Sequence, residues 1–479
     1  MTQDKQLNNT NANALSCIDL FAGCGGLSLG LRESGWKGIF AIERDPMAFE
    51  TLSQNFLSPA APYASFSAWP DWLPKTNHDI VALLSDKSNR ERLQSLRGSV
   101  TLMAGGPPCQ GFSVGGRRDG ADERNSLVFQ MLDMVDLVRP KIVLIENVEG
   151  IARRFVARPG EDSLSIADVV IERLAALGYV GTFHVLNANN FGVPQGRKRV
   201  VVIGVSNCNW DSHTLKDNFV AALRESASDV RKHWGLHPSK DTTAEEAIHD
   251  LHGGEHLPCP DSTKFSSAKY SSAKSAYAKA MRRGKKAGLV PNSHRFSNHG
   301  ERIQALYNLA HATQPPGRLS KAFLLENETK KDKKVLIDPK TVVSTITTHP
   351  DEFIHHIEPR NITVREMARF QSFPDDFHFF GRYTINGPRR KHDVARCSQV
   401  GNAVPPLMAQ GIGLAVKKLL SALEMEKVVR KTGTRKPKSV IAPAEAVAPY
   451  LKKLIPEGAS GPFGSSRDKH GTNRPTSLK

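Results

Sequence analysis

The chain has 479 residues, enough for two or three domains around a large core, and its 39% hydrophobic and 24% charged residues match an ordinary globular protein. No apolar run is long enough to span a membrane, and the polar start MTQDKQLNNTNANA lacks the apolar centre of a secretory signal, so a cytoplasmic protein with no membrane association is expected. Lys plus Arg number 65 against 48 Asp plus Glu, and this net charge of +17 favours a polyanionic partner such as DNA or RNA, although part of the excess serves equally well to solvate flexible tails.

From Ser16 to Val205, short β-rich apolar runs alternate with helical patterns. SCIDLFAG, GIFAIER, VTLMAGG, KIVLIENV, VGTFHVLN and RVVVIGV read as strands. RNSLVFQMLDMVDLVRP and LSIADVVIERLAALGY carry apolar residues at helical spacing and read as crossovers. The alternation predicts an α/β fold, a doubly wound and mostly parallel sheet covered by helices. After Val205 the texture becomes richer in His, Lys, Ser and Asn with weaker periodicity, which predicts a separate, irregular domain. Within it, SSAKYSSAKSAYAKAMRRGKKAG, with Tyr270 and Tyr277 interleaved, reads either as a solvated basic face or as a nucleic-acid contact surface. From Asn361 the pattern regularises into ITVREMARFQSFP and the helical PPLMAQGIGLAVKKLLSALEM, and beyond Lys427 it becomes a basic, loosely held tail. The six cysteines never form a C-x-x-C pair, so free thiols are expected, with neither a disulfide scaffold nor a metal site.

Four places along this plan carry chemistry. In IDLFAGCGGLSLGL the glycines Gly23, Gly25 and Gly26 stand at a strand-to-helix turn, where a ligand can approach the backbone closely; tight packing is the plainer alternative. Glu43 ends the next strand, where an acid accepts hydrogen bonds from ribose hydroxyls. The turn reads G-C-G-G-L-S rather than G-x-G-x-x-G, which disfavours a dinucleotide and fits an adenosine-containing methyl donor better. Cys109 in GGPPCQGFS follows a buried strand in a proline-fixed turn, ahead of the Gly-rich, charged SVGGRRDGADERN. A cysteine alone is more often a small buried hydrophobe, and the flanking sequence reverses that reading. Glu146 and Asn147 end the strand VLIENV, a costly place for a carboxylate unless it is a hydrogen-bond hub or a working acid. Arg197 and Arg199 in QGRKR alternate toward one side of the next strand, suiting a phosphate or a carbonyl, or simply solvent.

In order, FAGCGG, GPPCQGFS, ENV, QGRKR, REMARFQSFP and QVGNAVPP resemble the motif series of the DNA (cytosine-5) methyltransferases, in the form of a stand-alone bacterial modification methylase. The resemblance implies a Rossmann-like, S-adenosyl-L-methionine-dependent catalytic domain over residues 15–205 plus 360–424. It also implies a target-recognition domain over 206–359, beside a disordered lead-in over 1–14 and a basic tail over 425–479. By the resemblance, Cys109 is the nucleophile that adds to cytosine C6. Glu146 contacts N3 and the exocyclic amine, Asn147 holds the Pro-Cys turn, Arg199 bonds the base carbonyl, and Arg197 is a cation near the thiol. Phe21, Gly23, Gly26, Leu27, Glu43, Pro107, Asn402 and Ala403 would form the cofactor pocket. Asp79 is a looser match for an adenine-contacting acid, with Asp71 as substitute. Gln110, Ser113 and the loop to Arg124 are candidates for filling the space left by a flipped base, while Arg365, Glu366 and Gln371 organise the junction with the target domain. A monomer acting on double-stranded DNA is expected, with a cognate restriction endonuclease acting separately as a possible companion. Two alternatives stand beside this: a tRNA cytosine-5 methyltransferase, disfavoured by the long stretch between QGRKR and REMARF, and an inactive DNA-binding homologue, disfavoured by the intact Pro-Cys and Glu.

Overall fold

The protein is described here from a computed structural model, over residues 15–58, 60–108, 126–153, 165–329, 333–384 and 393–432. The chain divides into two units, 1–436 and 437–479, the second lying wholly outside the described residues.

Six apolar runs become the strands of one sheet: β1 (Ser16–Leu20), β2 (Lys37–Ile42), β3 (Leu102–Gly105), β4 (Ile142–Val148), β5 (Tyr179–Asn187) and, after the short β6 (Gln195–Gly196), β7 (Lys198–Ser206). Their order is β2-β1-β3-β4-β7-β5. The first four are mutually parallel, and β7 runs antiparallel to both β4 and β5. Central β4 is buried from Ile142 to Asn147, which is why its sequence is a continuous apolar run rather than an alternating one. The chain leaves β1 outward to β2 and returns to β3 on β1's other side, so β1 and β3 flank the switch point where a doubly wound sheet binds its ligand.

Helix α1 (Gly26–Glu33) grows out of the glycine turn, and α2 (Pro46–Phe56) starts at Asp45, whose side chain accepts from Ala48 N at 2.8 Å with Pro46 at the first turn. The short α3 (Ile80–Ser85) and α4 (Lys87–Gln94) precede β3, and α5 (Ser126–Val138) and α6 (Ile166–Ala176) are the crossovers expected from their periodicity. Helix α7 (Ser212–His233) lies in the stretch expected to form the second domain, yet it packs on β5 and on the long C-terminal helix. Trp234 just after it donates to Gln410 Oε1 at 2.7 Å, and Lys418 Nζ bonds Glu225 at 2.8 Å.

Beyond α7 the elements are short: α8 (Ala244–Ile248), an antiparallel pair of β8 (His256–Cys259) and β9 (Ser262–Ala268), α9 (Ala276–Arg282), α10 (Glu301–Thr313) and α11 (Lys321–Glu326). A three-stranded sheet joins β10 (Gly317–Arg318), β11 (Val335–Leu336) and β13 (Phe353–Ile354), while β12 (Val343–Ser344) pairs with β6 instead. Leu306, Tyr307, Phe323, Leu336 and Ile354 form part of a second, smaller core here. Tyr270 and Tyr277 of the basic stretch are buried; their hydroxyls donate to Asp375 Oδ2 and Arg369 O, each at 2.6 Å, so the lysines around them solvate a face of which the tyrosines are the inside. The chain then returns to the first core through α12 (Val364–Phe370), α13 (Arg396–Asn402) and α14 (Pro406–Thr432). Among the described residues, no helix is long and apolar enough to cross a membrane.

Candidate active site

Register fixes the rim. Leu20 lies opposite Ile42 on one side and Gly105 on the other, and Gly105 opposite Ile145. The residues that follow these four, Phe21, Glu43, Gly106 and Glu146, therefore emerge on one edge of the sheet.

The glycine turn forms the first half of that edge. Phe21 and Gly23 both have φ 57 and Gly25 has φ 96; a left-handed phenylalanine is strained, and such backbone strain gathers at ligand sites. Gly23 N donates to Glu43 Oε2 at 2.8 Å and Asp45 N to Oε1 at 2.7 Å, so the acid expected to hold a ribose is itself positioned by the turn. Burial pushes its carboxyl above the usual range, against these backbone donors. A Cβ on Gly23 would meet nothing within 4 Å, whereas one on Gly26 would stand 2.4 Å from Val404 O and 3.3 Å from Ala403 Cβ. Gly23 thus faces open space and Gly26 faces the chain's own far end. Leu27 is 3% exposed with its side chain in the core, so only its backbone can serve a ligand. His78 N donates to Glu43 O at 2.7 Å, which sets Asp79 beside the end of β2; Asp79 caps α3 by accepting from Val81 N at 2.8 Å, with Arg44 3.8 Å away. The extra sequence between Asp79 and β3 forms α3 and α4, and Asp71 is exposed. These groups fit an adenosine-type cofactor: an open glycine cradle, a fixed acid beside it, and a second acid next to that.

Across β1 and β3 stands the other half. Asn147 Nδ2 donates to Pro107 O at 2.9 Å, holding the proline turn to the end of β4. Cys109, Gln110 and Ser113 lie outside the described residues. Glu146 is buried, and Arg199 reaches diagonally from β7 to place Nε 3.1 Å from Glu146 Oε1. Burial raises the Glu146 carboxyl above its ordinary value, while Arg199 and Arg197 pull it down less strongly. Arg197 does something the sequence does not disclose. Its guanidinium donates to Ile346 O at 3.1 Å, Gly401 O at 3.0 Å and Ala403 O at 3.3 Å, so it holds the wall of the rim. Gln195 works alongside, donating to Phe370 O at 3.1 Å and accepting from Ile346 N at 2.8 Å. Asn402 is exposed at the end of α13, and Ala403 also takes a bond from Gln371 Nε2 at 3.4 Å. Arg365 and Glu366 are fully buried, Arg365 on the carbonyls of Asn292, Pro374 and Phe377, and Glu366 on Arg360.

One rim residue had no role assigned from sequence. Asp19 in β1 is 1% exposed; Ser28 donates to its Oδ2, while its Oδ1 is buried without a hydrogen-bond partner among the described residues, and burial pushes its pKa up to about 7. An acid inside an otherwise apolar strand was the available signal. The described cysteines are all free, and burial pushes Cys24 up to about 12, so it remains a thiol donating to Gln399 O at 3.6 Å.

The edge therefore joins an open glycine turn with a fixed acid beside it to a buried carboxyl beside a proline turn, the two half-sites that a doubly wound group-transfer enzyme needs along one rim. Comparison with known proteins narrows this class. The chain belongs to the C-5 cytosine-specific DNA methylase family, whose profile matches residues 15–418, and it is a DNA cytosine-5 methyltransferase of the stand-alone bacterial type. It is similar to type II methyltransferase M.DdeI of Desulfomicrobium norvegicum, 29% identical over 416 residues that cover 83% of this chain and 87% of that one. It is likewise similar to M1.HphI of Haemophilus parahaemolyticus, 30% identical over 413 residues, covering 85% and 87%. Its fold is shared with a crystal structure described as a DNA modification methyltransferase encoded within an E. coli prophage, with a TM-score of 0.55 and 22% identity over 85% of this chain and all of that one.

Proposed function

We propose that this chain methylates C5 of one cytosine in a short double-stranded DNA word, using S-adenosylmethionine as donor and Cys109 as covalent nucleophile. The observation that carries the reading is the buried Glu146, paired with Arg199 at 3.1 Å, on the same strand end whose Asn147 holds Pro107. Phe21, Gly23, Gly26 and Glu43 would hold the cofactor, with Asp79, Pro107 and Ala403 at its margins. When bound, S-adenosylmethionine supplies an electrophilic methyl group.

Cytosine C5 is a weak nucleophile. Addition of the Cys109 thiolate to C6 moves electron density to C5, provided that negative charge on the ring is met by a proton at N3. Glu146 is the acid assigned to supply that proton, a role supported by burial raising its carboxyl above the ordinary value. Arg199 holds the carboxyl through Nε and donates to Lys198 O at 2.7 Å, and its guanidinium would bond the base carbonyl. After C5 is methylated its proton passes to water, the C6–S bond breaks with Cys109 leaving as thiolate, and the N3 proton returns to the Glu146 carboxylate. A base within the duplex cannot reach this rim, so it is flipped out at a cost of a few kcal/mol. The net charge of +17 supports the backbone contacts that offset this cost.

Of the stretch over 206–359, the part beyond α7 that includes the small second core is assigned to target recognition, since base-edge readout needs a surface apart from the rim; α7 itself packs on β5 and the C-terminal helix. Type II names among the relatives support a restriction-modification role; we propose further that the chain acts as a monomer in the cytoplasm, with a cognate endonuclease acting separately. Bisulfite sequencing of a methylation-free plasmid, expressed with this chain or with Cys109→Ala, tests the proposal. Protected cytosines in one short motif, absent with the variant, are expected; full conversion in both rejects it.

A further inference from the structure

Away from the rim, Glu245 on α8, His252 after it and His356 just past β13 bring donor atoms within 4.8 Å of one another. We propose that these three side chains form a divalent transition-metal site, best suited to Zn2+, that staples the α8 segment to the sheet containing β13. Two imidazoles and a carboxylate are a borderline donor set of the kind Zn2+ accepts, with a fourth position left for water. Three atoms no more than 4.8 Å apart share a centre within about 2.8 Å of each, so metal bonds of ~2.0–2.2 Å require shifts of under about 1 Å, with His252 moving in and the touching His356–Glu245 pair opening to admit the ion.

Hydrogen bonding points the same way. His252 Nε2 is buried with no hydrogen-bond partner among the described residues, and so is His356 Nδ1, while His356 Nε2 is pressed against Glu245 Oε2. A desolvated ring nitrogen left unpaired is unfavourable; a cation between His252, His356 and Glu245 would satisfy His252 Nε2 and stand between His356 Nε2 and Glu245 Oε2, which otherwise press on one another. The third nearby histidine has another task. His355 Nδ1 accepts from Ile357 N at 3.1 Å and Glu358 N at 3.0 Å, so its proton is on Nε2, facing Glu366 Oε1 at 3.7 Å. Its ring stacks on His356 with centroids 4.4 Å apart and fixes that ring's plane. Glu366 is already engaged by both terminal nitrogens of Arg360, at 2.7 and 2.8 Å, so it stays out of the metal set. The Glu245 side chain is 43% exposed, which gives an ion a path from solvent. Ile354, two residues before His356, belongs to the small second core, so a bound ion would fix that core against α8.

The test uses the full chain, stripped with a chelator, exchanged into chelator-free buffer and titrated calorimetrically with Zn2+ alone, with Co2+ absorption as a second readout. One equivalent should bind, the Tm should rise, and Co2+ should show tetrahedral bands without thiolate charge transfer. Glu245→Gln and His252→Gln, each confirmed folded by circular dichroism, should weaken binding by at least about 100-fold, beyond the ~10–100-fold typical of outer-shell changes. Absence of stoichiometric binding, thiolate bands, or undiminished affinity in both folded variants overturns the proposal.

Discussion

Glu146→Gln is the substitution that most directly tests the rim's chemistry. The amide keeps the shape of the side chain and an oxygen for Arg199, which stands 3.1 Å away, but its N–H can only donate a hydrogen bond to a ring nitrogen and cannot transfer the proton as a carboxylic acid does. General acids contribute ~10²–10⁴ to rate, so at ~1.36 kcal/mol per tenfold the expected loss is about 3–5 kcal/mol of transition-state stabilisation. Single-turnover transfer of a labelled methyl group to plasmid DNA should therefore slow by that factor, with DNA affinity changed only a few-fold. The pH profile adds a sign. Burial raises the Glu146 pKa above its ordinary value, so the working, protonated form is lost as pH rises through the raised value, and the wild-type rate carries a descending alkaline limb. The ascending limb belongs to thiolate formation and survives in the variant. A folded Glu146→Gln protein with wild-type turnover, or with the same alkaline limb, refutes the assignment.

Arg197→Met removes three bonds from a buried guanidinium to Ile346, Gly401 and Ala403 carbonyls, and should destabilise the chain by about 3–5 kcal/mol in urea unfolding. Gly26→Ala drives a methyl group to 2.4 Å from Val404 O and should cost about 1–3 kcal/mol of stability and weaken S-adenosylmethionine binding by calorimetry, whereas Gly23→Ala, in open space, should act mainly through its φ of 57 and the volume it fills. Arg360 holds the buried Glu366 well below the usual carboxylate range. That stability is present above the unfolded-state pKa of ~4.3 and is lost as pH falls below it, so Tm should drop on acidification; Arg360→Leu should cost about 3–5 kcal/mol at pH 7.

The six strands were legible because each is a run of apolar residues bounded by turn chemistry, and Glu43 and Glu146 were legible because each ends such a run. Strand direction was not. RVVVIGV has the same alternation whether it runs parallel or antiparallel, and only the pairing of Glu146 with Val201 and Val148 with Arg199 reveals that β7 is reversed. In α9 a buried set, Tyr277, Ala278 and Met281, was hidden among lysines whose charge dominated the reading of that stretch. Arg197 was visible as a charge, but the carbonyls it holds come from residues 346, 401 and 403, which no local spacing connects to it. Glu245, His252 and His356 escaped for the same reason: a metal search guided by cysteine pairs passes over two histidines and an acid drawn from distant segments.

These long-range ties explain how one rim can serve a variable partner surface. Gly30 packs so closely on the last helix that a Cβ there would lie 2.3 Å from Ala409 Cβ. Trp36 Nε1 donates to Gly413 O at 3.1 Å, Lys417 Nζ to Ser34 O at 2.9 Å, and Cys24 Sγ to Gln399 O. The segment from Gln399 to Lys417 is thus laid along the one from Cys24 to Trp36, and the wall of the cofactor pocket exists only where the two ends of the folded unit meet. Closing so long a connection has an entropic cost, but that cost grows only logarithmically with length, so residues can be added in the exposed connections between α7 and α12 with little effect on the closure, while α7, Tyr270 and Tyr277 stay fixed in the core. Arg197, Gln195 and the β6–β12 pair anchor the returning chain at fixed points beside the rim. With target recognition assigned to that stretch as proposed above, its surface could change while Glu43, Glu146 and Arg199 keep their places, which would make the chemistry of the rim and the choice of DNA word separable.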